Sequence, residues 1–266
     1  MTEQKVTVPG LAALKARGVK IVALTAYDAS FARLLDEAGV DVILVGDSLG
    51  MVIQGQDTTL PATLDDMVYH TRCVTRGVRR ALVLADMPFM SYPTPEQAAG
   101  NAARLLREGG AKMVKLEGGR RRADTVRFLA GQGIPVCGHL GLLPQSIHQL
   151  GGYQVQGRGT QAAQALLEDA LILQEAGAGL LVLECVPQAL GEEVSRALDI
   201  PVIGIGAGPG CDGQVLVLHD MLGITPGKPP RFVKNFMAEA PDIASAVRAY
   251  AAAVREGGFP GAEHGF

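Results

Sequence analysis

The chain has 266 residues, of which 48% are hydrophobic and 19% charged, and its formal net charge is −3. This balance gives no basic surface for nucleic acid and no charged disordered tract, and the chain is long enough to bury a sizeable core in one large domain or two smaller ones. Because no apolar run approaches the roughly 20 residues of a membrane helix and the N-terminus does not read as a secretory signal, we expect a cytoplasmic protein that binds small molecules or copies of itself, with neither membrane nor nucleic acid as partner.

Eight short runs rich in Val, Ile and Leu alternate with longer stretches of helical periodicity. Alternation of this kind is typical of βα units around a parallel sheet. Helix candidates such as residues 30–39, 63–77, 94–110 and 160–178 end at or near glycine, which helix C-termini prefer. The apolar runs cover residues 20–28, 40–48, 81–89, 113–119, 135–142, 179–186, 201–208 and 213–222.

Eight parallel strands predict an α/β protein with a closed (β/α)₈ (TIM) barrel in a single domain, and a doubly wound open sheet is the alternative. Active-site residues of a barrel come from the carboxyl ends of many strands, whereas an open sheet gathers them at one switch point. Polar residues end nearly every run, which favours the barrel. These residues are Asp28, Asp47, Ser48, Asp86, Glu117, His139, Glu184, His219 and Asp220.

The two ends of the chain lie outside this repeating pattern. We expect residues 1–19 to form an N-terminal extension, the helical stretch at about 238–257 to pack outside the barrel, and about 258–266 to form a loose tail. The barrel with these additions accounts for the whole chain, residues 1–266.

Acids occupy the same position on several strands. Side chains two residues apart point to the same face, so each acid follows an inward-facing apolar row; the acids are Asp47, Asp86, Glu117 and Glu184. Lys115 shares the face of Glu117, about 7 Å deeper in the barrel. Carboxylates crowded around a single lysine would raise one another's pKa values unless a cation lay among them. Ligands of this type favour Mg²⁺, Mn²⁺ or Ca²⁺, and we expect Mg²⁺ acting as a Lewis acid on a carbonyl oxygen.

Other interpretations of these motifs stay open at this point. A single acid after a strand is commonly a helix N-cap or a loop residue, and this alternative is strongest for Ser48. His139 and His219 could bind zinc, but two histidines fall short of a three-ligand site, and substrate contact or hydrogen bonding in the core fits them better. Residues 208–213 match G-x-G-x-x-G, but the strand that follows leaves no room for the helix of a dinucleotide site.

Seven longer motifs occur between about residue 20 and residue 236. They read VGDSLGMVIQGQDTTLPATLDDMVYH, ADMPFMSY, VKLEGG, GHLGLLPQSIHQLGGYQVQGR, LECVP, IPVIGIGAG and GQVLVLHDMLG. In order and spacing they resemble those of the ketopantoate hydroxymethyltransferase (3-methyl-2-oxobutanoate hydroxymethyltransferase) family. The motifs are long and jointly specific, so chance is a poor explanation for the resemblance.

The resemblance implies a (β/α)₈ barrel that binds one Mg²⁺ ion per subunit and uses 5,10-methylenetetrahydrofolate to hydroxymethylate 3-methyl-2-oxobutanoate. The product, 2-dehydropantoate, leads to pantothenate and coenzyme A. Carried over by motif, the family's metal ligands fall on Asp47, Asp86 and, directly or through water, Glu117. Its substrate contacts fall on Asp47, Ser48, Asp86 and Lys115, and its proton acceptor falls on Glu184. The family forms large homo-oligomers, often decamers.

The implied mechanism begins when Glu184 removes the C3 proton of the substrate, giving an enolate that Mg²⁺ and Lys115 stabilise and that attacks the one-carbon unit of the folate. A Mg²⁺-dependent lyase or mutase acting on another 2-oxo acid is the alternative enzyme class, since acid-lined barrels support several such reactions. A barrel kept as a binding or assembly protein would be expected to have lost some of these acids. Dependence on the folate separates the first two alternatives.

Overall fold

The structure, a computed structural model, describes residues 5–266. Its strands are β1 (Ile21–Thr25), β2 (Val42–Val45), β3 (Leu82–Asp86), β4 (Met113–Glu117), β5 (Val136–Gly141), β6 (Leu180–Glu184), β7 (Val202–Ile205) and β8 (Gly213–Leu216). Each strand pairs in parallel with the next, and β8 pairs with β1 to close the barrel. This closure confirms the predicted (β/α)₈ barrel and excludes the open sheet.

The helices lie between and after the strands. Within residues 5–266 the α-helices are α1 (Val8–Ala16), α2 (Ala29–Glu37), α3 (Leu49–Val52), α4 (Leu64–Gly77), α5 (Pro95–Arg104), α6 (Ala123–Gly131), α7 (Ile147–Leu150), α8 (Thr160–Glu175), α9 (Gln188–Ala197), α10 (Leu218–Met221) and α11 (Ile243–Glu256). A π-helical turn, Leu105–Gly109, extends α5, and 3₁₀ turns occur at Arg120–Arg122, Pro144–Ser146, Phe236–Ala238 and Ala262–His264. No helix in this described part combines the length and apolar character that a bilayer crossing requires.

Local hydrogen bonds set where the helices begin. Asp28 caps α2 by accepting hydrogen bonds from the backbone N–H groups of Ser30 and Phe31, at 2.8 and 3.0 Å. Thr63 and Asp66 form a capping box at the start of α4. Caps of this kind satisfy N–H groups that have no partner within the helix. Of the polar residues that end the apolar runs, Asp28 is therefore a helix cap.

The last apolar run holds a shorter strand than we expected. Residues 213–222 form β8 only as far as Leu216, after which the chain turns into α10. The backbone N–H of Leu218 donates to Thr25 Oγ1 at 2.9 Å, so this group is taken by a side chain instead of continuing the ladder with β1. His219 and Asp220 consequently lie on a short helix after the barrel and do not end a strand.

Strand register brings the predicted site residues to one end of the barrel. Asp86 on β3 is paired with Lys115 on β4, and Glu117 on β4 is paired with His139 on β5. Paired residues on neighbouring strands lie about 5 Å apart. The side chains singled out in the sequence are therefore neighbours at the carboxyl ends of the strands, where barrel enzymes place their active sites.

Two buried acids at the opposite, amino-terminal end are held by complete sets of partners. Asp36 accepts hydrogen bonds from the backbone N–H groups of residues 79–81. Asp41 forms ion pairs with Arg80 at 3.2 Å and with Arg255 at 3.3 Å. Because the carboxylates of both acids have hydrogen-bond or ion-pair partners inside the fold, these acids have a structural role at this end of the barrel.

The segment expected as an N-terminal extension packs on this same end. It contains α1, in which Leu11 is fully buried. Lys15 Nζ reaches Asp212 Oδ2 at 2.9 Å and the backbone oxygen of Ile200 at 3.0 Å, and these residues precede β8 and β7. Residues 1–4 of the expected extension lie outside the described residues.

The C-terminal helix and the residues after it also pack on the barrel. Tyr250 on α11 donates from its hydroxyl to the backbone oxygen of Ala23 on β1 at 2.9 Å, so the helix lies outside the barrel as predicted. Residues 258–266 differ from the loose tail that we expected. Phe259 is only 3% exposed, and its ring lies 5.6 Å from that of Phe236 and 5.8 Å from that of Tyr250. Burial of this aromatic ring stabilises the packed arrangement of the segment.

Candidate active site

The predicted acids converge at the carboxyl end of the barrel. Asp47 follows β2, Asp86 ends β3, Glu117 ends β4 and Glu184 ends β6. The first three are buried, with exposures of 4%, 2% and 5%. The side chain of Glu184 is 13% exposed. Three carboxylates therefore lie inside the mouth of the barrel, and the fourth reaches its solvent side.

Asp47 and Asp86 are in direct contact. The backbone N–H of Asp47 donates to Asp86 Oδ2 at 3.0 Å. Burial raises the pKa of Asp47 well above its usual range, and the charges of Asp86 and Glu117 raise it further. In the absence of a cation the anionic form of Asp47 is thus disfavoured, so this pair of carboxylates is suited to bind one.

Lys115 supplies the positive charge nearest to these acids. Its Nζ lies 3.0 Å from Asp86 Oδ1. At this distance the ammonium group and the carboxylate form a buried ion pair that compensates the charge on Asp86. Burial alone would lower the pKa of Lys115, but the carboxylates of Asp86, Glu117 and Asp47 outweigh burial and raise it. Lys115 therefore stays protonated, and a single ammonium group leaves the cluster with surplus negative charge.

His139 on β5 connects Lys115 to Glu184. Its Nδ1 lies 3.2 Å from Lys115 Nζ, and its Nε2 lies 3.2 Å from Glu184 Oε2, although the second contact is too bent for a hydrogen bond. An ammonium group can only donate, so Nδ1 is the acceptor and Nε2 carries the proton that faces Glu184. Burial first and the charge of Lys115 second lower the pKa of His139, which keeps the ring neutral. Of the interpretations open for His139, hydrogen bonding in the core agrees with this geometry.

The side chain of Glu117 is hydrogen-bonded to the turn after β5. Its Oε2 accepts a hydrogen bond from the backbone N–H of Gln145 at 3.0 Å, and its Oε1 lies 3.5 Å from His139 Nδ1. Burial raises the pKa of Glu117 to about 7, while the charge of Lys115 and the hydrogen bond from Gln145 act in the opposite direction. Glu117 Oε1 has no hydrogen-bond partner among the described residues.

The predicted metal ligands, Asp47, Asp86 and Glu117, do not form a three-carboxylate cage. Within residues 5–266 no group of three or more His, Cys, Asp or Glu side chains has the spacing to hold a metal ion. One buried carboxylate oxygen, Glu117 Oε1, nevertheless lacks a hydrogen bond among the described residues, and Asp86 Oδ1 has only the Lys115 ammonium group as a partner. Mg²⁺ usually keeps several waters and takes one or two carboxylates from the protein. The donor set therefore fits Mg²⁺ that water and substrate complete.

Ser48 lies beside Asp47 at the start of α3. Its side chain makes no helix-capping hydrogen bond, so the cap alternative does not describe it. Ser48 Oγ lies 2.8 Å from the hydroxyl of Tyr27. A Cβ on Gly46 would lie 2.7 Å from Ser48 Oγ, so this hydroxyl position requires glycine before Asp47. The Ser48 hydroxyl is therefore fixed at the edge of the acid cluster.

Sequence reasoning missed three polar residues of this site: Tyr27, Tyr92 and Gln145. All three follow strands, in the segments TAYD, ADMPFMSY and GLLPQS, but none carries a charge and their loops have no periodicity. The one sequence signal that could have identified these residues is a tyrosine or glutamine in a motif just after a strand. His219 also belongs to this surrounding layer, because its ring lies 5.6 Å from that of Tyr27.

Comparisons with known proteins agree with the resemblance. A family model described as ketopantoate hydroxymethyltransferase matches residues 5–262. The 3-methyl-2-oxobutanoate hydroxymethyltransferase of Alkalilimnicola ehrlichii is 63% identical over 265 residues, covering 100% of this chain and 96% of the relative. The protein of the same name from Nitrosococcus oceani is 61% identical over 256 residues, covering 96% of this chain and 97% of the relative.

Solved structures share the architecture at low identity. Phosphoenolpyruvate phosphomutase from Streptomyces platensis subsp. rosaceus aligns with a TM-score of 0.61 at 15% identity, covering 81% of this chain and 82% of that one. A phosphonopyruvate hydrolase solved with oxalate and Mg²⁺ aligns with a TM-score of 0.62 at 13% identity, covering 94% and 84%. At such identities the likeness shows the barrel fold alone. The match over nearly the full length and the high identity to named relatives decide the family: the chain belongs to the ketopantoate hydroxymethyltransferases.

Proposed function

We propose that this chain transfers a hydroxymethyl group from 5,10-methylenetetrahydrofolate to 3-methyl-2-oxobutanoate, giving 2-dehydropantoate for the synthesis of pantothenate and coenzyme A. The C–H bond at C3 of the acid breaks, a C–C bond to the one-carbon unit forms, water supplies the hydroxyl oxygen, and tetrahydrofolate leaves. The observation that carries this proposal is the arrangement at the mouth. A row formed by Lys115, His139 and Glu184 lies beside the carboxylate pair of Asp47 and Asp86.

Mg²⁺ is the proposed cofactor, with Asp47 and Asp86 as ligands and Glu117 as a ligand through water. When bound, the ion would act as a Lewis acid on the keto group of the substrate. The support for this part is the excess of buried carboxylates over the single ammonium group of Lys115 and the oxygen of Glu117 that lacks a hydrogen bond among the described residues.

Substrate binding is proposed for Lys115, Ser48, Asp47 and Asp86. Lys115 would offset the negative charge that develops on the keto oxygen, because a buried ammonium group stabilises such charge more strongly than water does. Ser48 would donate a hydrogen bond to the carboxylate of the substrate. Its half-buried position beside Asp47 leaves the hydroxyl within reach of a molecule that enters the mouth.

Glu184 is the proposed proton acceptor. Its side chain is the most exposed of the acids in the cluster, so a substrate can approach it from solvent. His139 Nε2 lies 3.2 Å from its Oε2, and the other oxygen is proposed to accept the C3 proton.

Exchange of the C3 proton tests the proposal. In D₂O with Mg²⁺ the enzyme should exchange this proton without folate, and should form 2-dehydropantoate only when 5,10-methylenetetrahydrofolate is present. The Glu184→Gln variant should bind the acid and lose exchange by about 10²- to 10⁴-fold, the usual contribution of a general base. Glu192→Gln, on the exposed face of α9, is the matched control and should exchange normally.

Three results would contradict parts of this proposal. Undiminished exchange in Glu184→Gln would assign the base elsewhere. Full activity in excess EDTA would remove Mg²⁺ from the mechanism. Turnover of another 2-oxo acid without folate, together with no hydroxymethyl transfer, would favour the lyase or mutase alternative.

We also propose that the protein works in the cytoplasm as a homo-oligomer, of the decamer size that the family resemblance implies. The family resemblance is the support for this part of the proposal. Light scattering after gel filtration measures the assembly directly. The mass of a single chain at micromolar concentration would contradict this part of the proposal.

A further inference from the structure

Gln145, in the 3₁₀ turn after β5, contacts two acids of the cluster at once. Its side chain is buried, and Nε2 donates to Asp47 Oδ2 at 2.8 Å and to the backbone oxygen of Met87 at 3.0 Å. Its backbone N–H donates to Glu117 Oε2 at 3.0 Å. One residue thereby connects carboxylates that two separate strands contribute.

Tyr92 determines which end of the Gln145 amide faces Asp47. The Tyr92 hydroxyl accepts a hydrogen bond from the backbone N–H of Glu117 at 3.3 Å, so its own hydrogen is free to donate to Gln145 Oε1. With Oε1 occupied, the NH₂ group is the end that faces Asp47. Arg122 lies 4.9 Å above the ring of Tyr92, which is itself buried, so the hydroxyl has little freedom to move.

We propose that Gln145, oriented by Tyr92, is a positioning residue that holds Asp47 and Glu117 in the arrangement that binds a divalent cation. The inference rests on the proposed function, in which Asp47 is a ligand of Mg²⁺. The amide donates to one oxygen of Asp47 and so restricts rotation of the carboxylate. The second oxygen of Asp47 is then left for the cation. Groups that fix a metal ligand in this way commonly contribute about 10- to 100-fold in metal affinity or activity.

The chemistry of the amide suits this role better than a charged donor would. A lysine or arginine in place of Gln145 would form an ion pair with Asp47 and compete with the cation for it. An amide donates hydrogen bonds without adding charge, so the negative potential of the cluster is kept. The link between Glu117 and Gln145 uses backbone N–H groups and one hydroxyl, which are also neutral.

Binding of Mn²⁺ to the full-length enzyme, followed by electron paramagnetic resonance without substrate, tests the inference. Gln145→Met keeps the size of the side chain and removes both its donors, and it should weaken Mn²⁺ binding by about 10- to 100-fold. Tyr92→Phe keeps Gln145 but frees the amide to turn over, so a smaller loss of affinity is expected. Gln214→Met is the matched control, because Gln214 is a buried glutamine that donates to the backbone oxygen of Gly208 at 3.0 Å.

The outcomes separate this inference from the proposed function. Wild-type affinity for Mn²⁺ in both Gln145→Met and Tyr92→Phe would overturn the inference and leave the proposed function standing. A wild-type enzyme that binds no Mn²⁺ would overturn the inference together with the proposed metal ligands, and would leave the proposed transfer reaction to the exchange and folate tests. If circular dichroism shows that Gln145→Met does not fold, Tyr92→Phe decides: weaker binding supports the inference and unchanged binding overturns it. A merely structural role would lower the melting temperature of Gln145→Met and of Gln214→Met while the Mn²⁺ affinity of each stayed that of the wild type.

Discussion

Buried acids at the two ends of this barrel differ in how their oxygens are satisfied. At the amino-terminal end, Asp36 and Asp41 are paired with backbone N–H groups and arginines. At the carboxyl end, Glu117 Oε1 lacks a hydrogen bond in the described residues, and Asp86 Oδ1 has only the Lys115 ammonium group, at 3.0 Å. Leaving a buried acceptor unpaired costs free energy of folding. Among these four acids that cost falls on Glu117, which favours a binding role for this residue over a stabilising one.

Glu117 predicts a pH dependence of the metal-free protein. Burial raises the pKa of Glu117 to about 7, well above the usual value of a glutamate, so the folded state binds this proton more tightly than the unfolded state does. Stability from this group is present below the unfolded pKa and is lost as pH rises through the folded pKa. Relative to Glu117→Gln, the wild type in EDTA should therefore lose on the order of 2 kcal/mol of unfolding free energy between about pH 5 and about pH 8.

Urea unfolding at the two pH values measures this difference. The charge of Glu117 also raises the pKa of Asp47, so the difference between the two proteins reports the titration of Glu117 together with its effect on Asp47. A difference that does not change with pH would mean that Glu117 titrates as an exposed glutamate. Added Mg²⁺ should stabilise the wild type at about pH 8, because a bound cation favours the ionised carboxylates.

At the scale of secondary-structure elements, the ends of β5 and β6 set the position of Glu184. Gly141 ends β5 with a φ of +89° and is paired with Glu184 on β6. A Cβ at this position would lie 2.1 Å from the backbone oxygen of Glu184. The strands approach this closely only because residue 141 has no side chain, and the left-handed backbone also favours glycine.

Replacement of Gly141 should therefore move the proposed base. The Gly141→Ala variant is expected to be less stable and to lose about 100-fold in kcat, the order of effect of a displacement near 1 Å, with a smaller change in KM. Gly131→Ala is the control, since a Cβ on Gly131, the last residue of α6, meets no atom within 4 Å. Proton exchange and urea unfolding measure the two effects. Wild-type kcat in Gly141→Ala would show that Glu184 does not depend on this approach.

The secondary-structure elements also show which parts of the fold and of the site can be predicted from the sequence. Strand order and the closed barrel follow from the apolar runs, because their alternation with helices leaves few other folds. The acids Asp86 and Glu117 could be placed at one end because side-chain direction alternates along a strand. The helix at Leu218–Met221 could not be predicted, because its apolar run resembles a strand and the hydrogen bond to Thr25 decides. The site contacts of Gln145 were likewise hidden, since a 3₁₀ turn has no sequence period.

On the scale of the whole molecule, contacts far from the mouth fasten the C-terminal segment to the barrel. Phe259 packs with Phe236 and Tyr250, and Tyr250 in turn donates to the backbone of β1. This aromatic cluster joins three parts of the sequence that are distant from the acids. Stability and chemistry are therefore carried largely by separate groups of residues.

Phe259→Ala should reveal this separation. Removing a buried ring is expected to cost about 3–5 kcal/mol of unfolding free energy, measured in urea, with Mn²⁺ affinity of the folded enzyme unchanged. Phe128→Ala on α6 is the control and should cost less, because Phe128 is 37% exposed. A cost below about 1 kcal/mol for Phe259→Ala would mean that the segment adds little to the fold.

The N–H groups in the row of Lys115, His139 and Glu184 all point the same way. Lys115 donates to Nδ1 of the imidazole, and the proton on Nε2 faces Glu184, so both hydrogens point from the interior toward the mouth. Because Lys115 stays protonated and occupies the acceptor nitrogen of His139, this row cannot take up a proton from Glu184. If Glu184 is the base that we propose, the proton that it removes from carbon therefore leaves through the opening, to water or to the bound reactants. Release of that proton is thus linked to access at the mouth, and closing the mouth would delay it.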